Sequence, residues 1–427
     1  MRERPGVAAL INKQALPKMF KARQNFPRPK IEPTQIPIVI DELLSAERFA
    51  SQIKPGKNIC ITAGSRGIAN IATITRSLVD FCKKRGAHPF IIPAMGSHGG
   101  ATAEGQLEIL EAFDITEEKM GCPIKSSMEV VKVGVNDEGT DVYVDKYAME
   151  SDGIIVCGRV KPHTCFRGPF ESGIMKMIAI GLGKQYGAEV THEAGIQHMA
   201  RLLPLFGKTI IKNAPILFGV ALIENAYDET CKIVALEADE IEEKEPPLLQ
   251  EAFANMPRIL FDSCDVLIVD QVGKNFSGDG MDPNITGTFL TPYASGGINA
   301  QHVCVLDLSD ETHGNGTGVG VASCCTKRAY EKLDLNAMYP NSITSTILGG
   351  VKIPVIMESD KEAIQLCVKI CNEIDKDNPR IIRIPNSLHI EHIMLSEAYY
   401  EEAKNHPDIE IESEPEYLPF DEDGNLW

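Results

Sequence analysis

A chain of 427 residues, 43% of them apolar, is too long for one core and predicts two globular domains. Its formal charge of −18 excludes nucleic acid as a partner, because such a binder needs a basic face that displaces counterions. Apolar runs long enough to span a bilayer are absent, and 12 scattered cysteines without a CxxC pair predict reduced, mostly buried thiols.

The N-terminal stretch MRERPGVAALINKQALPKMF has no continuous apolar segment or small-residue cleavage site of the secretory kind, so a cytoplasmic location is expected. From Asn58 the order is a β-rich run NICITA, the loop GSRG, a helix, a second β-rich run PFIIPAM, the loop GSHGG and a helix around AEGQLEILEAF. Ile68, Ile71, Ile74, Leu78 and Phe81 recur at helical spacing between the two β-rich runs. A third β run, Gly153 to Val160, leads into KPHTCFRGP. This alternation predicts a parallel sheet with right-handed crossovers. The three loops then leave from strand carboxyl ends, where open α/β sheets bind ligands, and Arg66, His98 and His163 are expected to face one crevice.

Farther on, ILFGVALIEN, AYDET and CKIVALE read as a β-hairpin, and ADEIEEKEPPLLQEAFANMPRI as a solvated acidic helix. The boundary is placed near Pro257, giving an N-terminal α/β domain over 1–257 and a C-terminal α/β domain over 258–427. In the second, RILFDSCDVLIVD, HVCVLDL, VKIPVIM and IIRIPN read as strands, Cys324 to Leu333 and KEAIQLCVKICNEID as helices, and ETHGNGTGVG around His313 as a loop. The fold class expected is α/β, two domains with mainly parallel sheets and the active site in the crevice between them.

Several residues in these loops suit chemistry. Glycines around His98 let a backbone approach a ligand closely, and the Arg66 fork suits a carboxylate or phosphate. Pro162 stiffens the backbone before His163. Lys176 lies in the apolar run GIMKMIAIG, where a lysine either snorkels, its stem covering apolar surface, or is used chemically. His192 follows it by sixteen residues, with Gly181, Gly183 and Gly187 between, so one continuous helix is not expected and a turn of the chain can bring the two together. No zinc-type ligand spacing, HExxH helix, Walker loop or GxGxxG after the first strand occurs, which disfavours a self-built metal cage and an ordinary nicotinamide dehydrogenase.

The ordered set of Ser65–Arg66, GSHGG with His98, KPH with His163, Lys176 and His192 resembles the nickel-pincer-dependent lactate racemases and their 2-hydroxy acid racemase and epimerase relatives. The resemblance covers most of residues 55 to 200. It implies two α/β domains enclosing a nicotinic-acid-derived nickel cofactor, the nickel-pincer nucleotide. Lys176 then corresponds to the lysine that holds the cofactor, His192 to the nickel ligand, His98 and His163 to the acid/base pair, Ser65 and Arg66 to the substrate side, and Lys274 to the second-domain lysine that approaches the cofactor. Because the cofactor brings sulfur and carbon ligands, a single imidazole suffices for square-planar nickel.

Two departures stand out. Ala63 occupies the place of an acid three residues before the arginine, and the longer interval from His163 to Lys176 contains RGPFES. The resemblance therefore implies an isomerase acting on a 2-hydroxy acid, with sugar acids among the candidates and cofactor-building enzymes upstream. The alternative is a non-catalytic protein that binds or delivers an acidic ligand or the cofactor.

Overall fold

The computed structural model describes residues 4–427. The chain divides into two units, one of Pro27–Met256 and one combining the residues up to Phe26 with Pro257–Trp427. The domain expected over 1–257 therefore begins at Pro27. The reason is β1 (Met19–Gln24), which is inserted between two C-terminal strands, a non-local pairing that no local pattern announces.

In the unit Pro27–Met256, β2 (Asn58–Ala63) and β3 (His88–Pro93) flank the helix Ile71–Lys84. A small antiparallel ribbon follows, β4 (Val130–Val135) with β5 (Asp141–Asp145), then β6 (Gly153–Arg159), β7 (Ile216–Glu224) and β8 (Thr230–Glu237). The sheet order is β3-β2-β6-β7-β8, parallel except for the β7–β8 hairpin. Both faces are covered, which is why its strands read as nearly unbroken apolar runs. Ile59, Ile61 and Ile155 pack under Ile74, Leu78 and Phe81 of the first helix. Cys60, Ile154 and Val156 pack on the other face against Ile174, Met175, Ile178, Leu203 and Phe206.

The other unit is built on an eight-stranded mixed sheet. Its remaining strands are β9 (Ser263–Val272), β10 (Asn299–Leu308), β11 (Cys324–Thr326), β12 (Val355–Met357), β13 (Ile381–Ile384), β14 (His392–Ser396) and β15 (Ile409–Ile411). The order is β12-β11-β10-β9-β13-β14-β1-β15, with β12 to β13 parallel and the β14, β1 and β15 end antiparallel. The segment expected as a helix from Cys324 to Leu333 is instead β11 followed by the short helix Lys327–Glu331. Three strand residues are too few to show a period of two, and Thr326 caps the helix by accepting from Ala329 N. All 12 cysteines are thiols, and all but Cys231 are buried. Among the described residues no helix is long and apolar enough to cross a membrane.

Candidate active site

The sheet order β3-β2-β6 sets the loop after β2, which carries Ser65 and Arg66, between the loop of His98 after β3 and the loop of His163 after β6. All three leave from strand carboxyl ends, because the strands are parallel.

The His98 loop turns sharply into the helix Ala103–Ala112, whose Thr102 cap accepts from Gly105 N at 3.0 Å. Gly99 has φ of +66°, and a Cβ there would lie 2.6 Å from the backbone of Gly105, so only glycine allows the loop to fold onto the helix. The His98 Nδ1 lies 2.8 Å from the Met95 carbonyl and 3.1 Å from Ser65 Oγ, while Nε2 lies 3.3 Å from Arg66 Nη2. A carbonyl only accepts, so it fixes the proton on Nδ1 and leaves Nε2 with its lone pair turned toward the guanidinium.

The His163 loop is closed by a bridge in which Lys161 and Ser172 exchange backbone hydrogen bonds of 2.9 and 3.1 Å. Inside it, the buried Glu171 carboxylate accepts from His163 N at 2.6 Å and Gly168 N at 3.2 Å, and lies 3.3 Å from Arg167 Nη1. Burial pushes the Glu171 carboxyl up despite these donors. The imidazole of His163 packs 4.4 Å from the Phe166 ring, and its Nδ1 accepts from Cys165 N at 3.1 Å. Burial, then the charge of Lys176 and the neighbouring His192, Arg167 and Arg66, holds its pKa well below the usual histidine range. A neutral ring whose Nδ1 accepts carries its proton on Nε2.

Lys176 ends the short helix Ile174–Lys176, which continues as one π-helical turn, Met177–Gly181, before the helix Lys184–His192. π turns are frequent where a side chain must be re-aimed at a functional position. His192 lies on the last turn, its Nδ1 2.6 Å from the Ala188 carbonyl. Burial lowers its pKa, and the charge of Lys176 adds to that. His163 thus lies within electrostatic reach of Lys176, His192 and Arg66, and His192 within reach of Lys176. Lys274 belongs to the other unit, on the loop after β9, where Nζ donates to the Gly278 carbonyl.

Four polar groups outside the loop motifs support this site. Lys184 is fully buried, adopts φ of +54°, and donates to Pro93 O at 2.7 Å and Gln106 Oε1 at 2.6 Å. Gln106 passes the link on, donating to Gly96 O at 3.0 Å and His98 O at 3.2 Å. The buried Asp145 carboxylate lies 3.8 Å from the lysine. Burial lowers Lys184 to about 8 and raises Asp145, so desolvation outweighs their attraction. Glu245, within the acidic run expected to be solvated, is only 1% exposed. It accepts from Met175 N at 2.8 Å at the start of the Lys176 helix, and burial raises it to about 7. A Cβ on Gly173 would meet Glu245 Oε1 at 2.0 Å, which ties the glycine to the carboxylate.

Residues 5–202 match the lactate racemase N-terminal domain. The structure of the lactate racemase apoprotein from Thermoanaerobacterium thermosaccharolyticum is similar at 16% sequence identity and a TM-score of 0.54, over 86% of this chain and 94% of that one, a likeness of fold. A protein from Thermotoga maritima is similar at 12% identity and a TM-score of 0.47, over 66% of this chain and 72% of its own. No curated protein sequence matches the chain.

Proposed function

We propose, from the match of residues 5–202 to the lactate racemase N-terminal domain, that the protein is an isomerase that inverts the hydroxyl-bearing carbon of a 2-hydroxy acid with a nickel-pincer nucleotide. The observation that carries this reading is the gathering of Lys176, His192 and Arg66 around His163.

The residues fit the cofactor. His192 is kept neutral by burial, and its Nδ1 is engaged by Ala188 O, so Nε2 offers the lone pair that a nickel ion takes. Lys176 would supply the amine through which the cofactor is held. The bound cofactor supplies a hydride acceptor, chemistry that no side chain provides.

The remaining work falls to the chain. Arg66 and Ser65 bind the substrate carboxylate and orient the carbinol between the two histidine loops. An α-hydrogen of a hydroxy acid is a poor carbon acid, so the easier route is oxidation to a planar keto acid, with a base taking the hydroxyl proton. Return of the hydrogen to the other face would complete inversion, with a second histidine serving the opposite enantiomer. His98, its Nε2 lone pair beside Arg66, is set as the base, and His163, its proton on Nε2, as the neutral donor that hydrogen-bonds the carbinol oxygen.

The protein produced beside cofactor-building enzymes should carry stoichiometric nickel, show the mass of the cofactor, and invert at least one member of a panel of 2-hydroxy acids and sugar acids resolved by chiral chromatography. Protein without nickel and without the added mass would sink the reading. Nickel held without inversion of any acid would favour a delivery protein instead.

A further inference from the structure

The C-terminal unit contains a thiol cluster that the proposed reaction does not use. Cys304 on β10, Cys324 on β11 and Cys367 on the helix Asp360–Ile370 bring their Sγ atoms within 4.8 Å of one another. The strands fix two of them, since Cys304 stands opposite Cys324 in parallel register. The helix fixes the third by packing Ala363, Ile364, Cys367 and Val368 on that face of the sheet. All three residues are 0% exposed. Cys324 Sγ lies 3.4 Å from Cys367 Sγ and 3.5 Å from Ala363 O.

A buried thiol that merely fills space is inert, and burial raises its pKa, as at Cys325, pushed up to about 12. Here, by contrast, three sulfurs converge on one point.

We propose that Cys304, Cys324 and Cys367 form a three-sulfur site for a soft monovalent cation of the Cu(I) type. Thiolate sulfur selects soft ions. A metal–sulfur bond of about 2.3 Å sets the three sulfurs of a trigonal site about 4 Å apart, which the cluster meets with small side-chain adjustments. Zinc in a closed site takes four ligands, and among the described residues the convergent set stops at these three. His302, two residues before Cys304 on the same strand, has its Nδ1 2.9 Å from Ser323 Oγ. The sequence concealed the site because its ligands are separated by long intervals and come from two strands and a helix.

The test uses the whole protein under anaerobic, reducing conditions, with copper supplied during synthesis and, separately, to the folded protein. Wild type should retain stoichiometric Cu(I) against bicinchoninate by at least one route, and X-ray absorption should report a sulfur-only shell. Cys304→Ala and Cys367→Ala should lose that retention, whereas Cys325→Ala, on the opposite face of β11, should keep it. Thermal melts show whether each variant is folded, and the wild-type absorption spectrum decides the matter without any variant. Loss of all copper to bicinchoninate by both routes, nitrogen or oxygen in the shell, equal loss in Cys325→Ala, or preferential retention of Zn(II) would each overturn the proposal. The outcome is independent of the nickel reading, whose ligand lies in the other unit.

Discussion

The loop of His98 and the loop of His163 leave the same edge of one sheet, on either side of the loop that carries Arg66, yet they are held in opposite ways. The His98 loop is pinned from below by a buried cation, Lys184, acting through Gln106 on the carbonyls of Gly96 and His98. The His163 loop is pinned from within by a buried anion, Glu171, which gathers the N–H groups of His163 and Gly168. The two rings also carry their protons on opposite nitrogens, His98 on Nδ1 and His163 on Nε2. Under the proposed reading, a pair preset in this way would need no proton rearrangement before the first turnover in one direction, and would need one in the other.

The largest effects should come from the rings. His98→Ala and His163→Ala should each lower interconversion about 10²–10⁴-fold, the usual contribution of a positioned acid or base, with fold and nickel content unchanged. Steady-state rates and elemental analysis check this, and full activity in either variant would remove that histidine from the site.

The two supports come next, and they should separate. Lys184→Met leaves Asp145 and Gln106 buried without their cation, at a cost of about 3–5 kcal/mol. Histidine NMR should show His98 shifted and His163 much less so. Glu171→Gln should reverse that order. A variant that moved both rings equally would break the distinction between the loops.

A smaller effect belongs to the shared floor. Glu245 has a folded pKa of about 7 against an ordinary 4.5, so the native state holds this proton more tightly than the unfolded chain. Stability should therefore fall as pH rises from about 4.5 to 7 by on the order of 3 kcal/mol, and level off above. Glu245→Gln should flatten that slope in urea titrations, and an unchanged slope would refute the assignment. Least costly is Arg66→Lys, which loses the bidentate fork. A charged hydrogen bond of about 1.5–3 kcal/mol converts to a rise in KM of roughly ten- to a hundredfold. Nickel content should stay intact, and an unchanged KM would take Arg66 out of the site.

The contrast between the loops also marks what the sequence could and could not convey. The three loops were legible because β2, β3 and β6 are short apolar runs alternating with a helix of clear period, which dictates a parallel sheet and its edge. Their supports were not. Gln106 and Asp145 look like surface residues until the fold buries them, and Glu245 sits among exposed acids in EIEEKE with only its helical phase to set it apart. Only Glu171, in the departing RGPFES interval, and Lys184, in GLGK as a second lysine at the edge of an apolar run, left a trace in the sequence. The N-terminal strand β1 was hidden for another reason, because its partners β14 and β15 lie more than three hundred residues away.

The two-histidine account is tested most directly by single-turnover mixing of the cofactor-loaded protein with each stereoisomer of its substrate, using wild type, His98→Ala and His163→Ala and following formation of the keto acid. Wild type should oxidise the isomer whose hydroxyl meets His98 faster than the other, because Nε2 of His163 becomes a base only if the ring changes tautomer and gives up its bond from Cys165 N. His98→Ala should lose oxidation of that isomer and keep the other, and His163→Ala should do the reverse. Equal loss of both half-reactions in both variants would contradict the division of labour between the two loops.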